Sequence, residues 1–163
     1  MVVFEELIID DLLLAEHKDL EDVHQTVTVT DPEIGTTATP LPRTVENPTQ
    51  VTIQDEVSYR NLVVGKEYTV NGVLMDKSTE EPFLVNGEEV TSEVTFVAEE
   101  TSGSVFLDFV FDGSALQKTS VVVFEALYED EQLIATHADI NDEAQTVHFV
   151  EIMIRKVDSL DSK

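Results

Sequence analysis

Residues 2 to 27 and 122 to 147 are two copies of one segment, 120 positions apart and identical at 14 of 26 places. The first reads VVFEELIIDDLLLAEHKDLEDVHQTV and the second VVFEALYEDEQLIATHADINDEAQTV. Self-similarity of this length marks the chain as a slice of an array, with the tail of one unit preceding the whole of the next. It also constrains the fold, because both copies must take the same local structure. The stretch LLLAEHKDLEDVHQ could pass for a short amphipathic helix, but its copy, LIATHADINDEAQ, reads as strand, loop, strand, so the repeat decides for β. The polar identities are more telling. Glu5/Glu125, His17/His137, Asp19/Asp139, Asp22/Asp142, Gln25/Gln145 and Thr26/Thr146 occur in both copies, and a strand needs none of them to fold.

Outside the repeat the pattern is also that of strands. Apolar residues alternate with polar or small ones in 51–54, 68–70, 94–96, 105–109, 121–124 and 146–150. Turn signals separate these runs at Val64-Gly65-Lys66, Asn71-Gly72, Asn86-Gly87, Ser102-Gly103 and Asp112-Gly113. The Pro-rich segment from Thr39 to Pro48 reads as a loop leaving the first strand of a domain. Short strands at roughly ten-residue spacing predict an all-β fold, an immunoglobulin-like antiparallel β-sandwich. The expected organisation is an orphan C-terminal piece over 1–28, a complete domain over 29–151, and a linker or opening strand of a following domain over 152–163.

Charge removes several function classes. Thirty-four acidic residues against nine basic ones give a formal charge of −25, the wrong sign for nucleic acid or an anionic membrane as partner. No apolar run approaches the ~20 residues that span a bilayer. MVVFEELIIDDLLL carries acids where a signal peptide carries bases, so Met1 reads as an artificial start, with any signal or anchor outside the sequence. The chain has no cysteine, so a secreted domain of this kind must find its stability without disulfides. The acidic loop Asp139, Asn141, Asp142, Glu143 lacks the glycine and regular spacing of a calcium loop, and no cofactor or metal is expected.

Glu125, His137, Asp142 and Gln145 are the residues that could carry chemistry. His, Glu and Asp are the usual parts of a proton-transfer site, and the Gln side chain is a carboxamide open to a nucleophile. A free amide is a poor electrophile unless its carbonyl is polarised, for example by a carboxylic acid kept protonated beside a carboxylate in an apolar site. Glu125 and Asp142 could form such a pair, with His137 deprotonating a hydroxyl. The competing reading makes them turn and rim residues that hold loops.

Several words of the sequence resemble a known family. They are 31–38 (DPEIGTTA), 57–77 (VSYRNLVVGKEYTVNGVLMDK), 123–125 (VFE) and 137–146 (HADINDEAQT), together covering about residues 31–150. In order and spacing they resemble the VaFE-type, or Thr-Gln (T-Q) ester-bond, domains of Gram-positive bacterial surface adhesins. The resemblance implies that a threonine on the first strand attacks a glutamine side chain on the last, expels ammonia and leaves an intramolecular ester. Carried over, Thr36 is the nucleophile, Gln145 the electrophile, His137 the base, and Glu125 with Asp142 the acidic pair. Thr37 and Thr39 stand close by, but alternation points Thr37 to the other face. The reaction would run once per molecule, so the chain would not be an enzyme in the turnover sense.

The resemblance further implies a stalk module of a secreted, cell wall-anchored adhesin, with neighbouring repeats of the same polypeptide as partners and an unidentified host ligand. The alternative is a plain β-sandwich binding domain without a cross-link. A hydrolase acting on an external substrate ranks below both, for want of a nucleophile elbow or Gly-rich oxyanion loop. The first copy leaves a further choice open. Gln25 has Glu5, His17 and Asp22 around it but no threonine upstream, so Thr36 could meet Gln25 instead of Gln145. A monomer is expected, with strand swapping through residues 2–27 as a possible departure. Residues Ile154 to Asp158 look like the opening strand of a Cna-B-type domain, with Lys156 as its isopeptide lysine.

Overall fold

The computed structural model describes residues 1–26, 30–44, 46–114, 116 and 118–150. The expected strand around Lys156 and the rest of 152–163 lie outside the described residues. The chain divides into two compact units, Met1–Asp31 and a second beginning at Pro32.

The first unit is built on a hairpin of β1 (Glu5–Ile9) and β2 (Leu12–His17), paired antiparallel with Glu5 opposite His17. Asp10 and Asp11 both take positive φ, 49° and 61°. That is the backbone of a two-residue hairpin turn matching strand twist, and Asp is among the few side chains that tolerate it. Past β2 the chain folds back, and a bridge between Val2 and Thr26 closes the unit. No helix forms over 12–25, as the repeat required. Within this unit Leu7, Ile8, Leu12 and Leu14 are exposed.

The second unit is a two-layer sandwich. In chain order its strands are β3 (Glu33–Pro40), β4 (Gln50–Arg60), β5 (Glu67–Asp76), β6 (Glu81–Pro82), β7 (Leu84–Val85), β8 (Glu88–Glu89), β9 (Thr91–Val97), β10 (Gly103–Asp112), β11 (Thr119–Glu129), β12 (Gln132–His137) and β13 (Thr146–Phe149). A 3-10 turn, Glu143–Gln145, joins the last two. One sheet runs β10-β4-β3. The other centres on β11, which pairs with β5 on one side and with β12 and then β13 on the other; β5 also pairs β9 and the short β6. All pairings are antiparallel, and the fold is the immunoglobulin-like β-sandwich that the alternation predicts.

The alternation is what builds the core. On β4, Val51, Ile53, Val57 and Tyr59 point inward while their neighbours face out; on β11, Val121, Val123 and Leu127 join the core, and Val122 between the first two is buried as well. Phe109 of β10 and Leu74 of β5 meet them, both fully buried. Each such side chain contributes roughly 1.5–3 kcal/mol by leaving water.

Asn71-Gly72, read from sequence as a turn, lies inside β5. The glycine is there for space. A Cβ on Gly72 would stand 2.6 Å from Phe109 Cζ and 2.8 Å from Leu107 Cδ1, so two core side chains of the facing sheet occupy the volume a side chain would take. Asn86-Gly87 is a true turn, with φ of 54° and 86°, joining β7 to β8.

The topology brings the two ends of the domain together. β3 is the edge strand of its sheet, and it packs against β12, the 3-10 turn and β13 on the edge of the other.

Candidate functional site

Among the described residues of the second unit, the buried polar ones are Thr36, Asp55, Glu125 and Gln145. Four polar side chains withdrawn from water in an otherwise apolar core need a reason, because burying such groups costs free energy unless they are fully paired.

Thr36 sits in the middle of β3 with its side chain on the inward face, while Thr37 and Thr39 are exposed. Its Oγ1 donates to Oε2 of Glu125 at 3.2 Å. Glu125 projects inward from β11, directly opposite Gly72 on β5 and His137 on β12. Asp55 projects inward from β4, where the strand's alternation would call for an apolar residue.

Neither Asp55 oxygen nor Oε1 of Glu125 has a well-formed hydrogen-bond partner, although the Thr37 backbone N–H lends Asp55 partial support. The two carboxyls have mainly each other, and a carboxyl–carboxyl contact holds only when one carries a proton. Burial pushes Glu125 up to about 10, and the neighbouring Asp55 pushes in the same direction through its charge and a hydrogen bond. Burial raises Asp55 too, but its hydrogen bond with Glu125 pulls the other way. Burial and mutual repulsion thus act on both carboxyls in the direction that favours a shared proton.

This corrects the pairing expected from sequence. Asp142 does not pair with Glu125; it acts on Glu125 as a neighbouring negative charge, behind burial, Asp55 and Thr36. Asp142 Oδ2 instead meets Nε2 of His137 at 2.8 Å, and that contact holds the Asp142 carboxyl below the usual range. The physical reason is local. His137 ends β12, and the chain from Asp139 to Gln145 turns tightly back, which brings Asp142 under the imidazole five residues away. Asp55 takes the place beside Glu125. Asp55 is outside the expected set, and its signal in the sequence is an acid on the inward phase of the run Val51, Ile53, Asp55, Val57, Tyr59.

Gln145 closes the 3-10 turn and is fully buried, with neither Oε1 nor Nε2 hydrogen-bonded. Its turn packs on β3. Lys77 braces the outer side, with Nζ 2.7 Å from Glu143 Oε1 and 3.1 Å from Thr146 Oγ1. The acidic loop spends its oxygens internally: Asp139 Oδ1 accepts from Asn141 N–H, and Glu143 is held by Lys77.

The first unit repeats part of this geometry. His17 Nε2 lies 2.7 Å from Asp22 Oδ2, and Gln25 Nε2 donates to Glu5 Oε2 at 3.3 Å. Where the second unit has a threonine hydroxyl on its glutamate, the first has its own glutamine.

A family model for the T-Q ester bond containing domain matches residues 1–29 and 32–149. The chain belongs to this family. Among solved structures it is similar to a bacterial adhesin from Mobiluncus mulieris, described as containing intramolecular disulfide, isopeptide and ester bond cross-links, in two crystal forms. The TM-scores are 0.59 and 0.57, each at 17% identity over 73% of this chain. The likeness shows the shared fold, and the chain spans 57% of those solved chains. No curated protein matches the sequence. Among the described residues, no helix is long and apolar enough to cross a membrane.

Proposed function

We propose that this T-Q domain is a stalk module of a cell-surface adhesin and closes an ester between Thr36 and Gln145 by its own chemistry. The observation that carries the reading is a fully buried carboxamide without a side-chain hydrogen bond, on a turn packed against the strand of a buried threonine whose hydroxyl rests on a buried carboxyl. An unpaired buried polar group costs about 1–3 kcal/mol. Condensation relieves that cost by removing the amide N–H donors altogether.

The steps balance as follows. The Oγ1–H proton of Thr36 passes to His137 as Oγ1 bonds to Cδ of Gln145, and Glu125, in its protonated form, donates a hydrogen bond to the carbonyl oxygen where charge develops and keeps its proton as the carbonyl re-forms. The Cδ–Nε2 bond then breaks, the nitrogen takes a proton from His137, and ammonia leaves. One molecule reacts once, so the chain matures itself and turns over no substrate. Thr36 resting on Glu125 of the second copy favours Gln145 over Gln25 as partner. The Mobiluncus protein, an adhesin described with ester cross-links, supports the cell-surface reading, with neighbouring repeats of the same polypeptide as structural partners.

Intact mass tests the proposal. The wild-type chain should be about 17 Da lighter than its sequence, the mass of one ammonia. Thr36→Ala and Gln145→Ala should each keep the full mass, and a digest should yield one branched peptide joining 36 to 145. An unshortened wild-type mass would sink the cross-link and leave the plain binding domain. A branch from Thr36 to Gln25 would replace the partner.

A further inference from the structure

The outer face of the larger sheet carries a groove that the cross-linking chemistry does not use. Glu125 of β11 faces the core, so Phe124, Ala126 and Tyr128 beside it face out. The register sets Ala126 in a row with Asn71 and Glu93 on one side and Thr136 on the other. Ala126 is therefore a gap between two aromatic rings, crossed by a row of polar side chains. The groove over it has a volume of about 620 Å³, within the roughly 300–1,000 Å³ of ligand clefts.

The repeated segment shows that this face has changed while the core face has not. The inward positions Val123, Glu125, Leu127, Ala135 and His137 are identical to Val3, Glu5, Leu7, Ala15 and His17. Of the outward ones Phe124 matches Phe4, but Ala126, Tyr128, Thr136 and Ala138 stand where the first unit has Glu6, Ile8, Glu16 and Lys18. In the first unit the charged residues of this set form a cluster, with Lys18 Nζ 2.5 Å from Glu6 Oε1 and 3.0 Å from Glu16 Oε2. That is the ordinary surface of a solvated hairpin. The second unit has none of those charges, and the space they would fill is open and walled by a tyrosine.

We propose that this groove binds a neutral oligosaccharide. A pyranose ring has an apolar C–H face that packs on an aromatic ring, and an edge of hydroxyls that need donors and acceptors. Phe124 and Tyr128 supply two rings, two residues apart on one strand and so about 7 Å from each other along it. Asn71 donates and accepts, Glu93 accepts, and Thr136 does either. The charge changes choose among ligands. A basic peptide would be better served by the glutamates of the first unit, which the second has lost. An acidic sugar would face Glu93 in the groove and Glu67, Asp130 and Glu131 around the adjoining hollow beyond Tyr128. A second copy of the chain brings the same formal charge of −25 and is repelled. A ligand with many hydroxyls and no charge meets none of these obstacles. The groove opens on the side of the sheet away from Thr36 and Gln145, so its occupancy is independent of the ester.

Binding can be read on the whole chain by calorimetric titration and protein-observed NMR. The neutral probes are triacetylchitotriose, lacto-N-tetraose and maltotriose, with sialyllactose as the acidic probe and trilysine as the basic one. At least one neutral probe should bind saturably and shift the amide signals of Asn71, Ala126 and Thr136, while sialyllactose and trilysine leave them in place. Tyr128→Ala should weaken that binding by about tenfold or more. A sharper variant rebuilds the surface of the first unit: Ala126→Glu, Thr136→Glu and Ala138→Lys together should abolish binding, and the hairpin β1-β2 already carries those residues in the same fold. Amide signals away from the groove should match the wild type in both variants, which separates lost binding from lost fold. The proposal falls if no neutral probe shifts the groove signals, if trilysine or sialyllactose binds there more tightly, or if the rebuilt surface binds as well as the wild type. Loss of ammonia does not enter the readout, so the ester reading stands or falls by itself.

Discussion

Two buried carboxyls, Glu125 and Asp55, set the electrostatics of this core. Glu125 is raised to about 10 from its ordinary 4.5, so between those values the folded domain keeps a proton that the unfolded chain releases. Stability of an unreacted domain must then fall as pH rises through that window, by up to about 1.4 kcal/mol per pH unit. Thr36→Ala, which cannot close the ester, isolates the effect. In denaturant unfolding from pH 5 upward it should weaken steadily toward alkaline pH, and adding Glu125→Gln should flatten the slope; equal slopes in the two proteins would refute the shared proton. Legibility in the sequence divides at this scale. Thr36, Glu125, His137 and Gln145 come together as their motif words suggest. Asp142 was given the wrong neighbour because a five-residue turn is set by loop geometry, which alternation does not report. Asp55 was missed because a lone acid in an apolar run looks like a surface residue until the facing strand is known.

Elements carry most of what could be read in advance. Strands announce themselves because each has one face in the core and one in solvent, and the duplicated hairpin resolves the single helix-like stretch, 12–25. Gly72 escaped that logic: beside Asn71 it looks like a turn, and only the ring of Phe109 above it explains why β5 runs through. The hairpin β1-β2 shows the other side of the same physics. In the second unit the matching strand β11 buries Val123 and Leu127, whereas within the first unit Val3 and Leu7 are exposed. Apolar strands in that condition invite pairing with other chains. Removing residues 1–31 should lower self-association, measured by light scattering at rising concentration, without changing the mass loss at Thr36 and Gln145. An unchanged association would show that the hairpin is already covered.

For the whole molecule, the cross-link would join an edge strand of one sheet to the last turn of the other, enclosing about 110 residues. Closing a loop of that size stabilises a fold by roughly 4–5 kcal/mol in the chain-entropy model, as a disulfide would, but without sensitivity to reductants. Mechanically the enclosed sandwich would then drop out of the load path. Pulled from its ends, the wild-type domain should give no unfolding step, whereas Thr36→Ala should release about 36–39 nm of contour, the extended length of the enclosed segment. A full-length step in the wild type would mean that the bond is absent.

The complete burial of Gln145 has a last consequence, for time rather than for strength. Esters are ordinarily consumed by hydroxide, yet an ester at this position would meet hydroxide only when the seam between β3 and the closing turn parts. Ammonia, once expelled, is diluted into the surroundings and does not come back. Formation is thereby one-way, and decay is metered by how often the seam breathes. The alkaline half-life of the bond would then be a clock for that opening, readable on a stalk long after it was made.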